Sequence, residues 1–494
     1  MKLVNVFQSK TNTVQVVWIA LGGFSSVGLS IASAAILSRF FDKTEYGTYR
    51  QILYVYNTLL VIFAAGLPRV FTYFLPRFSL SQGKSIVKKV SKVLFLTGIC
   101  FSFTLFCCSG IIAKLLRNPE LSIGLKYFSV IPILLLPTLG IEGILSSYKK
   151  AVFIALYNII INLLMLTGIV LPVVILGGSY LYAIYGWIFI SIIAFVIAFY
   201  FKNIPFKNIE SESTDLNTKE IFKYSLPIAL ASLSGIAIKA ADQFYISRFF
   251  STEVFAEFAN GFIQLPFVST VTGATSAVLM PLFSKMIFDK SEGIQIINLW
   301  QNTLQKSALI IYPLIIFFLF FGKETIILLY SHKYEESFIY FTIGLTINFF
   351  NIIVFAPLLL ALGETRFYAR LHFFFAISSW LLGYVVVIIF NNPVAVAVFS
   401  TIQSISLVLI AIIYTSKRTK LKLIEIFPLG NLLKICAHSM LSIIIVRIAF
   451  NFLHVTNYFI MIILSFLCFL LILLTSSGYF EISYSGIFKP MINK

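Results

Sequence analysis

Ser38-Arg39-Phe40-Phe41 recurs as Ser247-Arg248-Phe249-Phe250, an offset of 209 residues (247 minus 38). Carried on without a gap, the offset sets Tyr46 against Phe255, Gly47 against Ala256 and Tyr49 against Phe258. Further along, Leu75-Pro76-Arg77-Phe78-Ser79 resembles Met280-Pro281-Leu282-Phe283-Ser284 once four residues are dropped. Each copy follows a long apolar run and precedes another. The pattern reads as a duplicated membrane hairpin, and repeats in the same orientation predict a transporter of two like-built lobes with the substrate path between them.

Composition bounds the class. Charged residues make up 11% of the 494 and mean hydropathy is +0.96. A soluble surface needs roughly a quarter charged residues, so the chain is an integral membrane protein. The net charge of +18 does not point to nucleic acid, because Lys and Arg sit in short loops between apolar runs. Cys100, Cys107, Cys108, Cys436 and Cys468 lie inside apolar runs without CxxC or His-Cys spacing, which predicts neither disulfide nor metal. Lys2 and Lys10 precede a run too long for a signal-peptide core, and no cleavable signal is expected.

A spanning helix needs about 20 mostly apolar residues. On that basis the chain predicts an all-α fold of about 14 transmembrane helices, near 14–38, 51–75, 91–113, 122–146, 151–175, 181–201, 221–246, 254–282, 297–321, 338–361, 371–390, 394–415, 432–452 and 457–475. Residues 1–202 form a six-helix lobe, 203–220 a cytoplasmic linker, 221–416 a pseudo-symmetric second lobe, and 417–494 a basic linker, an extra helix pair and a tail. The polar run Glu210-Ser211-Glu212-Ser213-Thr214-Asp215 suits a flexible linker. The Lys-rich stretch from Ser79 to Lys92 suits a helix lying in the membrane interface. Lys417, Arg418, Lys420 and Lys422 suit the anionic inner leaflet. Alternate loops hold 24 basic residues on one side and 8 on the other, which places both termini in the cytoplasm.

Ionisable groups inside spans mark candidate sites. Lys239 and Asp242 stand at i, i+3 in the seventh span; at the 209 offset they match Ser30 and Ser33, so the first lobe is uncharged there. Two readings stay open. Lys239 attracts a phosphate while Asp242 couples to H+ or Na+, or the two neutralise each other and lower the insertion cost. Arg69 follows Gly66-Leu67-Pro68, where the backbone opens; it either reaches an anion in the cavity or snorkels to the interface. Lys306, with Gln301, Asn302 and Gln305 nearby, marks a wet face and a second anchor. Arg39 and Arg248 occupy matching helix ends, as gating or capping residues or as phosphate holders near the exit. Glu142 suits an interfacial ion pair near Lys149 and Lys150, and Arg447 a structural or lipid-facing position. Walker, HExxH and GxSxG motifs are absent, and His332, His372, His438 and His454 are too scattered for a metal set. The expectation is a transporter that is not an enzyme and carries no cofactor beyond H+ or Na+ coupling.

Residues 34–50, Ala-Ala-Ile-Leu-Ser-Arg-Phe-Phe-Asp-Lys-Thr-Glu-Tyr-Gly-Thr-Tyr-Arg, resemble the first helix end and first loop of polysaccharide repeat-unit flippases. Gly66-Leu67-Pro68-Arg69 and Ala241-Asp242-Gln243-Phe244-Tyr245-Ile246 fit as well. These Wzx-type O-antigen and exopolysaccharide flippases share a superfamily with multidrug and toxin extruders and lipid II flippases. The resemblance implies two six-helix lobes in a V around a cationic cavity, here bearing Arg69, Lys239 and Lys306. It implies a cargo of undecaprenyl-diphosphate-linked oligosaccharide, carried from the inner to the outer leaflet of the bacterial cytoplasmic membrane. Membrane lipids, a polysaccharide polymerase and chain-length machinery would be its partners. A cation-coupled multidrug exporter of the same superfamily is the nearest alternative, although its cargo would want acidic lining. A membrane glycan polymerase or ligase would need larger outer loops. A purely structural scaffold would leave the buried charges unexplained.

Overall fold

The computed structural model describes residues 12–484 apart from 264, 424–426 and 454. Lys2, Lys10, Lys489, Lys494 and His454, used above for orientation and metal arguments, lie outside the described residues. The chain forms two compact units, Met1–Ala256 and Glu257–Lys494. The first holds α1 (Asn12–Phe40), α2 (Lys43–Ala64), α3 (Pro68–Phe74), α4 (Leu80–Leu115), α5 (Glu120–Phe128), α6 (Ile131–Leu135), α7 (Ile141–Ser147), α8 (Ala151–Leu176), α9 (Tyr180–Asn203) and α10 (Thr218–Phe249). Helix α11 (Thr252–Gly261) crosses the boundary. The second unit continues with α12 (Pro266–Phe288), α13 (Gly293–Phe320), α14 (Gly322–Tyr330), α15 (Ser337–Asn351), α16 (Ala356–Ala361), α17 (Thr365–Phe390), α18 (Pro393–Thr419), α19 (Leu429–Leu453) and α20 (Tyr458–Ser476). Among the described residues 13 helical segments are long and apolar enough to cross a membrane, and α1 adds the apolar stretch Ser25–Phe40. The division into compact units falls within α11, while the lobe boundary expected at 203–220 rests on the sequence repeat.

The repeat sets the helix ends. Helix α1 stops at Phe40 and α10 at Phe249, while α2 starts at Lys43 and α11 at Thr252, each pair 209 residues apart. A short polar side chain caps each restart. Asp42 Oδ1 accepts from Glu45 N at 2.7 Å, and its counterpart Ser251 Oγ from Val254 N at 3.2 Å. Thr44 Oγ1 donates to Glu253 Oε1 at 3.3 Å, so two equivalent positions of the repeat touch each other. A Cβ at Gly47 would run into the Thr252 carbonyl, so the close approach of the two restarts requires glycine there.

Two expectations about the polar stretches change. Helix α4 is continuous for 36 residues, about 54 Å at 1.5 Å per residue. That exceeds the roughly 30 Å hydrocarbon layer, so Ser79–Lys92 is the projecting start of a span rather than a separate helix lying in the interface. Its first turn is fixed by a capping box between Ser79 and Gln82. The segment 203–220 is clamped onto this extension, contrary to its flexible composition. Ser81 Oγ donates to Glu212 Oε2 at 2.8 Å, Lys84 Nζ to the Ile209 carbonyl at 2.6 Å, and Lys89 Nζ to the Leu216 carbonyl. Phe206 and Leu216 drop into an apolar cluster with Val87, Val90 and Leu94. Two buried anchors offset the ordering entropy of a stretch that is otherwise polar.

Several spans are broken. Helix α2 ends where Ala65 (φ 48°) and Gly66 (φ 68°) turn left-handed, and Pro68 starts α3 with the fixed φ suited to a first helical turn. The expected span 254–282 is two helices, α11 and α12, and 338–361 is α15 and α16. In the second unit α19 and α20 pack on the rest through a buried ion pair. Arg447 NH1 donates to Glu324 Oε1 at 2.8 Å, and the guanidinium lies 4.9 Å from the Phe321 ring centroid. Arg447 is therefore a tie to the repeated core and not a lipid-facing group. Beyond α20, Tyr484 returns to α19, where its hydroxyl is 3.0 Å from His438 Nδ1. Burial pushes the Tyr484 phenol up to about 12; because Ser476 gives its proton to the Ile472 carbonyl, His438 Nε2 carries the ring proton and the Tyr484 hydroxyl donates to Nδ1. His438 Nε2–H then donates to Ser476 Oγ at 2.8 Å, and Ser476 to the Ile472 carbonyl at 2.6 Å.

Candidate functional site

Helical spacing gathers a polar cavity inside the first unit. Ser26, Ser30 and Ser33 of α1 stand at i, i+4 and i+7; Tyr46, Tyr49, Arg50 and Leu53 of α2 share one face. Asn162, Met165, Leu166 and Ile169 of α8 repeat the pattern, and Leu135 and Trp187 complete a cavity of about 290 Å³. Ser30 and Ser33 are the repeat counterparts of Lys239 and Asp242. With no charge on α1 here, the cation comes from Arg50 on α2.

The chemistry of this wall favours acceptors as ligands. Arg50 carries permanent positive charge and up to five N–H donors; its guanidinium sits 6.0 Å from the Tyr46 ring centroid. Trp187 Nε1 is buried and has no acceptor among the described residues. No carboxylate lines the cavity among the described residues. Ser26 Oγ, 3.5 Å from Asn162 Oδ1, adds a weak neutral contact. Sequence reasoning placed Arg50 among loop cations and missed it. The available signal was its register with Tyr46 and Tyr49, which puts it on the apolar-aromatic face of α2 rather than in a loop.

None of Arg69, Lys239 and Lys306 lines this cavity. Arg69 is exposed at the start of α3 and Lys239 is exposed on α10. Gly66 abuts α10, where a Cβ would lie 2.5 Å from the Ser225 carbonyl. Ser225 and Lys239 are 14 residues apart along α10, about 21 Å. Arg69 and Lys239 therefore stand at different depths, too far apart to grip one diphosphate together. Lys306 is exposed on α13 of the second unit. Asp242, one turn from Lys239, is only 8% exposed and accepts from Gln243 N at 2.6 Å. The i, i+3 pair thus straddles the edge of the buried face of α10. Arg248 NH1 donates to the Lys114 carbonyl at 3.1 Å, in the last turn of α4, where orphan carbonyls and the helix dipole favour a cation. Arg39 is exposed at the end of α1. Glu142 accepts from Asn158 Nδ2 at 2.7 Å, a neutral partner in place of the expected lysines.

Beside the Arg50 cavity, Gln51 faces the other way into a buried polar network. Its Nε2 donates to Ser247 Oγ at 2.7 Å and its Oε1 accepts from Asn118 Nδ2 at 2.6 Å. Asn118 also donates to Thr48 Oγ1 at 2.9 Å. The network ties α2 to α10 and fixes the register that presents Arg50.

Known proteins place this arrangement. The fold is similar to a structure of the lipid II flippase MurJ in an inward closed conformation, at TM-score 0.72 and 15% identity over 94% of this chain and 99% of that one. It is similar to an inward-facing multidrug resistance MATE family transporter of the MOP superfamily, at 0.63 and 12% over 80% and 94%. A MOP superfamily transporter from Pyrococcus furiosus matches at 0.56 and 13% over 82% and 94%. At such identities the likeness is one of fold. No curated protein matches the chain by sequence. The model of the polysaccharide biosynthesis protein family matches residues 36–339, more than half of the chain, and the chain belongs to that family.

Proposed function

We propose that this protein carries undecaprenyl-diphosphate-linked polysaccharide repeat units from the inner to the outer leaflet of a bacterial cytoplasmic membrane by alternating access. The observation that carries the reading is the Arg50 cavity, with its fixed cation and no carboxylate among the described residues that line it. An acidic headgroup cannot cross hydrocarbon unaided, because burying an unpaired charge costs far too much. A cavity of fixed donors replaces part of its hydration. Arg69, Lys239 and Lys306 are proposed as further cations met in turn along the path, with Asp242 as the carboxylate for H+ or Na+ coupling. Arg39 and Arg248 act at helix ends during gating. Both termini lie in the cytoplasm, and a polymerase with its chain-length machinery takes the delivered unit.

A multidrug exporter is the second reading, favoured by the shared fold and by buried Asp242. The absence of a carboxylate from the cavity wall weighs against a cationic cargo. Deletion with complementation separates the readings. Loss of surface polysaccharide, with lipid-linked repeat units trapped on the cytoplasmic leaflet, is the expected result. Units that reach the outside but stay unpolymerised would instead indicate a polymerase or ligase. Normal polysaccharide with raised drug sensitivity would indicate the exporter. Arg50→Ala should lower export about 10- to 100-fold at normal abundance, the range set by a hydrogen bond to a charged group, roughly 1.5–3 kcal/mol.

A further inference from the structure

A second cavity, of about 350 Å³, lies within the second unit. It forms where α15 stops at Asn351 and α16 begins at Ala356, and Ser269, Thr272 and Gly273 of α12 make the opposite wall. Non-helical backbone at membrane depth is tolerated only where protein covers it or where it lines a wet cavity. Here Ile353, Val354 and Phe355 of the break line the cavity directly. Trp300 Nε1 donates to the Val354 carbonyl at 3.1 Å and holds the break open from behind.

The hydroxyl protons on this wall are committed to the protein. Ser269 Oγ donates to the Pro266 carbonyl at 2.8 Å and Thr272 Oγ1 to the Val268 carbonyl at 2.9 Å. Asn351 Nδ2 donates to Asn348 Oδ1 at 3.1 Å, and Asn348, 3% exposed, returns its own amide protons to α15 carbonyls. A hydroxyl has one proton and two lone pairs, so these groups face the cavity as acceptors. No charged side chain lines it among the described residues, and at Gly273 nothing occupies the space a Cβ would meet. The first-unit cavity is cationic through Arg50; this one is neutral and lined mainly by acceptors.

We propose that this cavity is a binding site for one ring of a neutral saccharide, whose hydroxyls donate to Ser269, Thr272 and Asn351 while Val268 and Ile353 cover a C–H face. The assignment deepens the proposed function, naming where the glycan of the cargo is read, and it rests on that reading. An anion would find no cation here and at most one side-chain donor, the second N–H of Asn351, among the described residues. A bare cation wants several oxygens converging at roughly 2.3–2.6 Å, carboxylates among them. A neutral cavity of about 350 Å³ is too roomy for that and falls at the lower end of pockets for small organic ligands, roughly 300–1,000 Å³.

The test uses the full-length protein in detergent with Trp18, Trp187 and Trp380 replaced by Phe, leaving Trp300 as the reporter. It is titrated with the lipid-free repeat-unit oligosaccharide of its host, with pyrophosphate and with NaCl. A saturable change in Trp300 emission is expected for the oligosaccharide alone. Thr272→Val, nearly isosteric, and Asn351→Leu should each weaken it at least tenfold, while Thr104→Val, on α4 of the first unit, leaves it unchanged. A matching response to Na+ without sugar would overturn the proposal in favour of an ion site, and so would sugar binding indifferent to both variants. Should the oligosaccharide bind as expected while deletion leaves surface polysaccharide intact, the transport reading fails and the saccharide site stands. Absent binding in a protein that restores export defeats the site alone.

Discussion

Gln51→Ala tests whether the buried amide network fixes the first unit. Gln51 is 0% exposed, and the change removes its bonds to Ser247 and Asn118. Each bond contributes about 1 kcal/mol net. Asn118 keeps Thr48, but Ser247 Oγ, 1% exposed, loses its donor. The lost methylene and the void left by the amide add about 1 kcal/mol. The sum is about 3 kcal/mol, which for the first unit, Met1–Ala256, is a fall in Tm of roughly 6 °C. Thermal unfolding in detergent, followed by retention of the monodisperse peak, measures it. A paired variant sharpens the test. Gln51→Leu with Ser247→Ala replaces both partners by apolar groups and should recover part of the loss, since the cost lies in stranding one partner. Because Arg50 is the next residue on α2, Gln51→Ala should also lower export beyond the fall in abundance. A Tm within 2 °C of the parent, or a double variant no better than the two single losses added together, refutes the reasoning.

Two further outcomes follow from the backbone and from the buried ion pair. Gly66→Ala places a Cβ at φ 68° and 2.5 Å from the Ser225 carbonyl, a backbone atom that cannot yield, and should cost roughly 2–4 kcal/mol. Gly177→Ala, also at positive φ but facing open space, should cost only about 1 kcal/mol; similar melting of the two would contradict the contact argument. Glu324→Ala strands Arg447. Removing one partner of a buried pair costs about 3–5 kcal/mol, and because the Arg447 side chain is 30% exposed the lower end is expected. Glu324→Leu with Arg447→Met should restore stability, as read by thermal unfolding.

The duplication was legible because both copies keep Ser-Arg-Phe-Phe at their helix ends, and the helix boundaries obey the same 209-residue offset. The break after α2 was legible from Gly66 and Pro68. The break at 352–355 was not: Ile-Ile-Val-Phe carries no turn residue, and only Pro357 follows it. Tertiary contact, through Trp300 and Val354, sets it. The 203–220 segment misled because two apolar anchors, Phe206 and Leu216, outweigh a polar composition once α4 projects far enough to receive them. Arg50 was hidden by the habit of assigning a basic residue near a span end to the loop. The candidate cations inside spans were legible as charges, while their depths were not, since Arg69 and Lys239 take their separation from where Gly66 meets α10.

Breaking a span exposes backbone groups that hydrocarbon cannot satisfy, and the breaks at 65–67, 136–138 and 352–355 divide by what lies beside them. At 65–67 the chain closes on protein: Leu67 N donates to the Ala64 carbonyl at 2.9 Å, and Gly66 fits against Ser225. At 136–138 Lys202 Nζ, itself buried, donates to the Pro137 carbonyl and lies 3.1 Å from Ser91 Oγ. Those breaks shape helices. At 352–355 Trp300 takes the Val354 carbonyl and local backbone N–H groups take those of Ile352, Ile353 and Phe355, yet of the three breaks this one alone lines either cavity. A span broken only for shape needs no room beside it, so the cavity there marks a surface kept for a ligand. Filling the space at Gly273 separates the two purposes. Gly273→Val should leave thermal stability nearly unchanged, because nothing lies within reach of an added Cβ, yet abolish saccharide binding at Trp300. Lost stability with intact binding would mean that this break, like the others, serves the helices alone.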